Sequence, residues 1–358
     1  MLRELIEEKA LGEGLLFLGN VSPDYPLAGH RYGAWIDEGL HAGMDFLARN
    51  RQVRGHPVEL LPGVRSVSLF AMPYGAPQAN LGPQAAQYAR HPDYHKVLKK
   101  KLERIAGALS WNPYRVFVDS APLLERALAE KTTKGFIGKN TCYIHPRFGS
   151  LLLLGEIFST IDGTFDVPSS ITLGKRDEAG GCGSCTACQV SCPTGALDTD
   201  YRIDSAKCLA YWTIENRGTI PVKYWPYLAQ YWFGCDICQN VCPFNTHAVA
   251  LPEVPYFPVR EVPDLLTVAT MGEADYQKYF GGTPFTRAKR AGLRRNALIA
   301  LVVTKHPELD SVLATVQSDP LYPLSETVAQ IDQYRFEFPD DTCVNIPHAT
   351  PFCAPHSP

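Results

Sequence analysis

The stretches CGSCTACQVSCPTGAL at 182–197 and CDICQNVCPFN at 235–245 decide how this sequence has to fold. The first places three cysteines at two-residue gaps, and a fourth follows three residues later, directly before a proline. The second repeats the last part of this pattern, and Cys208 lies between the two. Eight of the eleven cysteines therefore fall between residues 182 and 242, and this crowding requires a chemical reason.

The spacing is typical of chains that hold two [4Fe–4S] clusters, as bacterial ferredoxins do. Closely spaced cysteines wrap one cubane, and the cysteine before proline reaches the other cluster. The predicted ligands of the first cluster are Cys182, Cys185, Cys188 and Cys242. The predicted ligands of the second cluster are Cys208, Cys235, Cys238 and Cys192. Cys208 fits this pattern least well, because an insertion at 209–234 separates it from its partners.

Zinc is the alternative metal for such cysteines, since paired Cys-x2-Cys motifs also form tetrahedral zinc sites. Zinc requires neither a third cysteine at the same short gap nor two Cys-Pro endings, so the pattern favours iron–sulfur. Cys142, Cys343 and Cys353 have no ligand spacing, and we interpret them as buried or tail thiols.

The length and composition of the chain limit the architectures that it can adopt. The chain has 358 residues, more than the about 250–300 that one compact core usually holds, so we expect two or three units. The net charge of −3 means that any nucleic-acid site must be a local patch. No apolar stretch approaches the roughly 18 residues that span a bilayer, and the acidic N-terminus does not resemble a signal peptide. We expect a cytoplasmic protein without a membrane segment.

Hydrophobic patterns divide the chain into four parts. Before the cysteines, β-rich runs at 64–72, 115–119 and 150–158 alternate with helical patterns such as 95–109. The predicted parts are an α/β domain at 1–178, a ferredoxin-like domain at 179–250, a helical region at 264–335 and a poorly ordered tail at 336–358. An electron carrier needs only the second part, so the first is expected to hold a substrate or a further redox cofactor.

Asp119 is the candidate acid of the first domain. It ends an apolar strand, and ligands of α/β sheets bind beyond the carboxyl ends of strands. Burial could raise the pKa of its carboxyl group and make it a general acid. The plainer interpretation is a residue that caps a turn or helix, since a helix is predicted to follow with Ser120 as its N-cap.

Two further features are weaker. The turn GFIGKNT at 135–141 can bring main-chain N–H groups to a polar ligand, or it is an ordinary tight turn. The segment 283–295 holds five basic and no acidic residues, and Arg287, Arg290 and Arg294 share one helical stripe. The stripe is either a phosphate-binding surface or a solvated helix face.

Taken in order, VDSAPLLERALAE (118–130), GFIGKNT (135–141), FGSLLLLGEI (148–157) and the two cysteine motifs resemble the epoxyqueuosine reductases. These are cobalamin-dependent iron–sulfur enzymes of tRNA queuosine synthesis. HAGMDFLARN (41–50) and RAKRAGLRRNALIAL (287–301) are also similar to the family's terminal signatures. The resemblance covers roughly residues 1–320.

The resemblance implies reduction of epoxyqueuosine to queuosine at the wobble position of tRNAs for Asp, Asn, His and Tyr, the final step of queuosine synthesis. It implies an α+β multi-domain fold with an α/β cobalamin-binding domain, a ferredoxin-like two-cluster domain and a HEAT-like helical-repeat region. An external low-potential donor would supply the electrons, and the enzyme would act as a monomer.

The resemblance also assigns roles to residues. Asp119 would be the proton donor, and the clusters would relay electrons one at a time to cobalt. The implied cobalamin contacts are Arg54, Lys139, Asn140, Tyr143, Leu154, Cys235 and Asp236. The implied tRNA contacts are Arg287, Arg290 and Arg294.

Two rival interpretations remain at this point. One is a small-molecule reductase related to reductive dehalogenases, against which the basic helix and the missing twin-arginine signal argue. The other is an electron-transfer subunit that docks to a separate oxidoreductase and binds no cobalamin.

Overall fold

The computed structural model describes residues 2–23, 29–75, 83–163, 181–248, 260–317 and 319–337. The predicted boundary near residue 178 and all but two residues of the predicted tail at 336–358, including Cys343 and Cys353, lie outside these ranges. The strands are β1 (Leu16–Val21), β2 (Ser66–Pro73), β3 (Gln84–Ala85), β4 (Tyr114–Phe117), β5 (Phe136–Ile137), β6 (Tyr143–Ile144), β7 (Leu152–Ser159) and β8 (Tyr231–Phe233).

The α-helices follow the same chain order, and several are single turns. They are α1 (Leu2–Gly12), α2 (Gly29–Asp37), α3 (Asp45–Arg49), α4 (Arg51–Gly55), α5 (Tyr94–Ala108), α6 (Glu125–Lys131), α7 (Ala187–Val190), α8 (Trp225–Leu228), α9 (Ile237–Asn240), α10 (Pro243–Thr246), α11 (Leu265–Thr270), α12 (Glu273–Phe280), α13 (Lys289–Val303), α14 (Leu309–Val316) and α15 (Leu324–Glu337). A π-helical turn covers Tyr211–Glu215, and 3₁₀ turns cover Pro57–Leu60, Gln87–Arg90, Val222–Tyr224 and Pro284–Ala288.

Four strands of the first unit form one sheet in the order β1–β2–β7–β4, and each neighbouring pair is antiparallel. The predicted β-rich runs are confirmed as β2, β4 and β7. The α/β prediction for this unit was wrong, because α/β folds have parallel strands joined by crossover helices. Apolar runs of this length identify buried strands but not their direction, so the sequence did not reveal the error.

Helices cover both faces of this sheet. On one face, Leu98 and Leu102 of α5 pack so closely on Gly155 that a Cβ there would lie 2.8 Å from Leu102 Cδ1. On the other face, Leu128 of α6 shares a core with Phe158. The helix predicted at 95–109 is confirmed as α5. The next helix was predicted to begin after Ser120 but begins at Glu125, which leaves 119–124 as a loop beside the sheet.

One apolar core joins the insertion at 209–234 to the C-terminal helices. The insertion contributes Trp225, Trp232 and Phe233, and the ring of Trp232 stacks on Phe285 with centroids 5.6 Å apart. Strand β8 of the insertion also pairs in parallel with β3 of the first unit. The insertion therefore links the ferredoxin-like segment to its neighbours, and the core crosses the predicted boundary between 179–250 and 264–335.

Helix α13 lies at the centre of the C-terminal part, and twelve of its fifteen residues are buried. Arg295 is fully buried and donates hydrogen bonds to the carbonyl oxygens of Trp212, Asn216 and Gly218. Burial lowers the pKa of its guanidinium group to about 9, so the group is still charged at neutral pH. The helical region is confirmed as α11 to α15. None of the helices in the described ranges is long and apolar enough to cross a membrane.

Candidate redox and active site

Four cysteines from both motifs line one cavity of about 180 Å³; they are Cys182, Cys185, Cys188 and Cys242. These are the four residues predicted for the first cluster. Burial, followed by the proximity of Cys182, Cys242 and Cys185, raises the pKa of the Cys188 thiol to about 11. Thiols placed this close resist ionisation unless a cationic metal centre compensates their charge, so the group is suited to hold a cluster.

The other four cysteines form a second group of Cys192, Cys208, Cys235 and Cys238. Burial raises the pKa of Cys235 and of Cys238 well above the usual thiol value, and the charges of Cys208 and Cys192 act on both. The structure therefore brings Cys208 to its predicted partners despite the insertion. Within the described ranges, no three Cys, His, Asp or Glu side chains converge tightly enough to hold a single metal ion.

Cys142 lies between the two groups. Cys242 and Cys208 both act on its pKa, and burial raises that pKa to about 11. Its main-chain N–H donates to Asn140 Oδ1 at 3.2 Å. Cys142 is half-buried and not fully buried as predicted, and only the fold places it beside the ligand candidates.

Asp119 begins the loop between β4 and α6, in the left-handed region with φ of 51°. Its carboxylate accepts a hydrogen bond from Tyr94 Oη, and His95 Nε2 lies 3.3 Å from Asp119 Oδ2. The other ring nitrogen, His95 Nδ1, lies 2.8 Å from Asp93 Oδ1. Both donors come from the first turn of α5, so that turn orients the Asp119 side chain.

The ionisation of Asp119 differs from the expectation. Its side chain is 56% exposed, so it is open to a ligand and not buried as the acid argument required. Desolvation by the surrounding protein would raise the pKa of Asp119, but the hydrogen bonds from His95 and Tyr94 outweigh it, and the pKa falls below the usual value. In this conformation Asp119 is an ionised carboxylate that is held by two donors.

Two further carboxyl groups, those of Glu125 and Glu156, lie near Asp119, and no sequence pattern singled them out. Glu125 Oε1 accepts a hydrogen bond of 2.5 Å from the main-chain N–H of Asp119. Burial, and then the charge of Asp119, raises the pKa of Glu125 to about 8. Glu156 on β7 is fully buried, and its carboxyl oxygens have no hydrogen-bond partner among the described residues. Burial, with Glu125 and Asp119 nearby, raises its pKa well above the usual value.

A chain of contacts connects the second cysteine group with Asp119. Asp236, next to Cys235, accepts a 2.7 Å hydrogen bond from the main-chain N–H of Gln87. Tyr88, the next residue, packs edge-on against the ring of Tyr94 with centroids 6.2 Å apart. Tyr94 in turn donates to Asp119. Burial raises the pKa of Asp236 to about 6, whereas the hydrogen bond from Gln87 lowers it.

The residues proposed to contact cobalamin fall into separate places. Lys139 and Asn140 line the cavity of the first cysteine group, and the main-chain N–H of Lys139 donates to Cys182 Sγ at 3.4 Å. Tyr143 is only 3% exposed and packs in the core of the first unit, where Leu154 is partly buried. The Tyr143 side chain is buried, so a contact between Tyr143 and cobalamin would have to come from its main chain, and this contact stays a prediction.

Arg54 lies beside the loop that carries Asp119. It is buried, and its Nη1 donates to the carbonyl oxygen of Leu123 at 2.9 Å. Its Nε has no hydrogen-bond partner among the described residues. Gln87 Nε2 is likewise buried without a hydrogen-bond partner among the described residues, so both donors are unsatisfied unless a ligand binds them.

The predicted basic stripe does not form an open surface. Arg294 is 3% exposed, donates from Nε to the carbonyl oxygen of Ala269 at 2.8 Å and pairs with Asp319 at 2.5 Å. Arg290 pairs with Glu273 at 3.0 Å, and Arg287 pairs with Glu215 at 2.8 Å. The prediction was wrong for Arg294, because α13 is buried on nearly all sides and its arginines bind groups of the protein itself.

Two groups of four cysteines in one chain, with an exposed and hydrogen-bonded carboxylate in the preceding unit, are typical of an iron–sulfur oxidoreductase. The comparisons agree. Residues 181–245 match the 4Fe-4S double cluster binding domain, and residues 54–120 match the family described as epoxyqueuosine reductase QueG, DUF1730. The double-cluster match supports two [4Fe–4S] clusters and not zinc.

Whole-chain comparisons extend this result. The chain is 34% identical to the epoxyqueuosine reductase of Salmonella typhimurium (strain LT2), over 84% of this chain and 79% of that protein. It is 32% identical to that of Escherichia coli (strain K12), over 88% and 84%. The chain therefore belongs to the epoxyqueuosine reductase family and is a reductase.

Several solved structures are similar to this chain over most of their length. One is an epoxyqueuosine reductase with a tRNA-Tyr epoxyqueuosine-modified stem loop, with a TM-score of 0.76 and 27% identity over 92% of this chain and 89% of that chain. Another is the enzyme from Bacillus subtilis with its catalytic aspartate loop swung out of the active site, with a TM-score of 0.75 and 25% identity over the same shares.

Proposed function

We propose that this enzyme reduces epoxyqueuosine to queuosine at the wobble position of tRNAs for Asp, Asn, His and Tyr, the final step of queuosine synthesis. Its proposed cofactors are the two [4Fe–4S] clusters and cobalamin. The relative that was solved with a modified tRNA-Tyr stem loop supports tRNA as the substrate. We also propose that it acts in the cytoplasm as a monomer and takes electrons from an external low-potential donor.

One observation carries this proposal. The contact chain runs from Cys235 and Asp236 through Gln87 and its neighbour Tyr88 to Tyr94, and it ends on Asp119. The proposed electron source and the proposed proton source therefore lie at the two ends of one short path. Removal of an epoxide oxygen needs both, because two electrons and two protons convert the epoxide into an alkene and water. An electron carrier would not need the carboxylate.

We assign the cluster ligands as the sequence predicted them. The first cluster takes the group formed by Cys182, Cys185, Cys188 and Cys242, and the second takes Cys192, Cys208, Cys235 and Cys238. Each cluster carries one electron at a time, so two transfers complete one reduction. The second group lies next to Asp236, so its cluster is the one that delivers electrons to the active site.

The buried donors near Asp119 fit cobalamin. Its corrin ring carries peripheral amides, whose oxygens accept hydrogen bonds of the kind that Arg54 Nε and Gln87 Nε2 can donate. We propose these two residues as contacts, together with Leu154 and the turn of Cys235 and Asp236. Lys139 and Asn140 would instead serve the first cluster. When it is bound, cobalamin supplies low-potential two-electron chemistry.

Asp119 is proposed as the residue that protonates the departing oxygen. An alkoxide is a poor leaving group near neutral pH, so a positioned acid contributes on the order of 10²–10⁴-fold in rate. The exposed carboxyl group of Asp119 can reach a substrate, whereas Tyr94 and His95 hold it in place. Because these donors stabilise the anion, Asp119 has to acquire its proton during the cycle.

Binding of tRNA is proposed to involve the edge of the C-terminal helical region, which we still interpret as HEAT-like. Arg287 is half exposed and within electrostatic range of Asp119, so it lies near the active site. Arg290 is less exposed. We retain both as contacts for the tRNA and withdraw Arg294.

The proposal is tested with protein that has been loaded anaerobically with both clusters. Addition of cobalamin should change its absorption spectrum with saturation, and the loaded protein should convert epoxyqueuosine in tRNA when a strong reductant is present. If the clusters assemble but cobalamin neither binds nor permits conversion, the chain is an electron-transfer protein and the proposal fails.

A further inference from the structure

The proposed electron route needs an entry point at the protein surface, and the first cysteine group offers one. Among the eight cysteines of the two groups, only Cys185 is exposed. Cys185 also lines the cavity of the first group, so this cavity meets the surface there. The second group instead adjoins Asp236 and the contacts that lead to Asp119. An external donor can therefore approach a cluster in the first group directly from solvent.

Lys139 places a positive charge in the wall of the same cavity. Its side chain is only 8% exposed, and its main-chain N–H donates to Cys182 Sγ at 3.4 Å. Its ammonium group lies 3.3 Å from Asp200 Oδ2, but the Asp200 side chain is 51% exposed. Solvent screens an exposed charge more than a buried one, so Asp200 offsets Lys139 only in part. The charge of Lys139 therefore acts on a cluster in this group.

The second group has more negative surroundings. Lys207 directly precedes Cys208, but it is 42% exposed and pairs with two carboxylates, Asp198 at 3.0 Å and Asp204 at 3.7 Å. The carboxyl group of Asp236 follows another cysteine of this group in sequence and is 2% exposed. The charge of Lys207 is therefore offset, whereas that of Lys139 in the first group is not fully offset.

Hydrogen bonds to sulfur do not distinguish the two groups. The main-chain N–H of Lys139 donates to Cys182 in the first group, and that of Ile237 donates to Cys235 in the second. The potential of an iron–sulfur cluster depends on nearby charge, on such hydrogen bonds and on solvent exposure. Charge and exposure both favour reduction of the first cluster, because a cation and water each stabilise the negative charge that reduction adds.

We propose that Lys139 raises the reduction potential of the first cluster above that of the second, so that the first cluster takes up an electron and stores it. One electron from the external donor converts [4Fe–4S]²⁺ into [4Fe–4S]⁺ and leaves the donor oxidised by one electron, and no bond or proton moves. The second cluster is then the stronger reductant, and with both clusters reduced the chain holds the two electrons that one reduction needs.

This order of potentials rests on the cluster assignment of the proposed function, but it requires neither cobalamin nor tRNA. Lys139 acts on the reaction through the first cluster, so it is a positioning residue. A purely structural role for Lys139 would affect the iron content or the stability of the chain. A role in setting the potential would change the midpoint of one cluster while both clusters remain in place.

A redox titration of the cluster-loaded chain tests the proposal, with the reduced clusters followed by electron paramagnetic resonance. Two separate midpoints are expected, and Cys188→Ala, which should retain only the second cluster, assigns them. Lys139→Met should lower the midpoint of the first cluster by at least about tenfold in the reduction equilibrium, or about 59 mV. Lys139→Arg keeps the charge and should hold the midpoint near the wild-type value.

Asp200→Asn makes the opposite change at the protein surface. It removes the carboxylate that offsets Lys139, so the midpoint of the first cluster should rise. General damage to the site would not shift the midpoint in opposite directions in the two variants. Lys99→Met is the matched control, because Lys99 pairs with Glu103 at 4.0 Å on α5 and should leave both midpoints unchanged.

Three results would overturn the proposal. They are a wild-type midpoint of the first cluster at or below that of the second, an unmoved midpoint in both Lys139→Met and Asp200→Asn, and an equal shift in Lys99→Met. If Lys139→Met does not hold both clusters, an unmoved midpoint in Asp200→Asn alone overturns it. A chain that shows the expected midpoints but converts no epoxyqueuosine with cobalamin bound refutes the proposed function alone.

Discussion

The main-chain N–H of Asp119 donates a 2.5 Å hydrogen bond to Glu125 Oε1, while the Asp119 side chain points the other way, to Tyr94 and His95. The backbone of this residue is thus held by an acidic group and its carboxylate by two donors. These hydrogen bonds hold Asp119 while its backbone lies in the left-handed region, with φ of 51°. In the proposed mechanism, this region provides the proton for the reduction.

Asp119→Asn tests the acid role. The amide keeps the size and the main-chain hydrogen bond of Asp119 but cannot donate an acidic proton, so turnover should fall by about 10²–10⁴-fold. Iron content and cobalamin binding should match those of the wild-type chain, and both are measured on the same preparation. Turnover within about threefold of wild type would exclude Asp119 as the acid.

Cys188→Ala tests the division of the cysteines into two groups. Because each [4Fe–4S] cluster needs its four thiolates, the variant should hold about four iron atoms per chain where the wild type holds about eight. Cys142→Ala is the control, since Cys142 is a thiol next to both groups but is not assigned as a ligand. Loss of iron in the control, or full iron in Cys188→Ala, would contradict the assignment.

The pair of Arg294 and Asp319 tests the structural interpretation of α13. Asp319→Ala leaves the buried guanidinium without its partner, so the free energy of unfolding should fall by about 3 kcal/mol. Asp310→Ala, which breaks the exposed pair with Arg335, should cost less than about 1 kcal/mol. Denaturant titration measures both. Equal effects would mean that Arg294 is not buried as described.

The loss of unfolding free energy in Asp319→Ala should depend on pH. Desolvation raises the pKa of Asp319, but the hydrogen bonds from Arg294 and the Leu321 N–H, together with the charges of Arg294 and Arg290, outweigh it and hold the pKa below the usual value. A depressed pKa contributes stability above the unfolded-state value of about 4 that is lost as the pH falls. The difference between Asp319→Ala and wild type should therefore shrink in acid.

For Glu156 we predict the opposite pH dependence of stability, which Glu156→Gln tests. The pKa of Glu156 is raised by burial, so in the unfolded chain the group ionises above about pH 4 while in the folded chain it cannot. The wild type therefore loses stability as the pH rises, by up to about 1.4 kcal/mol per pH unit. Glu156→Gln should remove this loss and be more stable than wild type in alkali. Parallel stability curves for the two proteins would show that Glu156 is hydrated or paired.

The cysteine groups could be predicted from the sequence because ligand spacing is a local property of the chain. Cys208 lies near Cys192 and Cys235 although an insertion separates it from Cys235 in sequence, and its role as a cluster ligand stays a prediction. Strands β2, β4 and β7 and helix α5 could also be predicted, because their apolar periodicity is strong. Asp119 was found through its motif.

The surroundings of Asp119 could not be predicted in this way. Tyr94 and His95 are about 25 residues away in sequence, and Glu156 follows 37 positions later, on a strand whose pattern is simply apolar. Only the antiparallel sheet brings them together. The prediction for Arg294 failed for a related reason. A basic helical pattern suggests a solvated face, but the carbonyl oxygen of Ala269 and the carboxylate of Asp319 bind Arg294 inside the protein.

The most direct test of the central claim is nucleoside mass spectrometry on epoxyqueuosine-containing tRNA. The tRNA is incubated anaerobically with the cluster-loaded chain and a strong reductant, with and without cobalamin. The account predicts that epoxyqueuosine loses the mass of one oxygen atom only when cobalamin is present. Unchanged epoxyqueuosine in both reactions, with clusters and cobalamin verified in the protein, would contradict it.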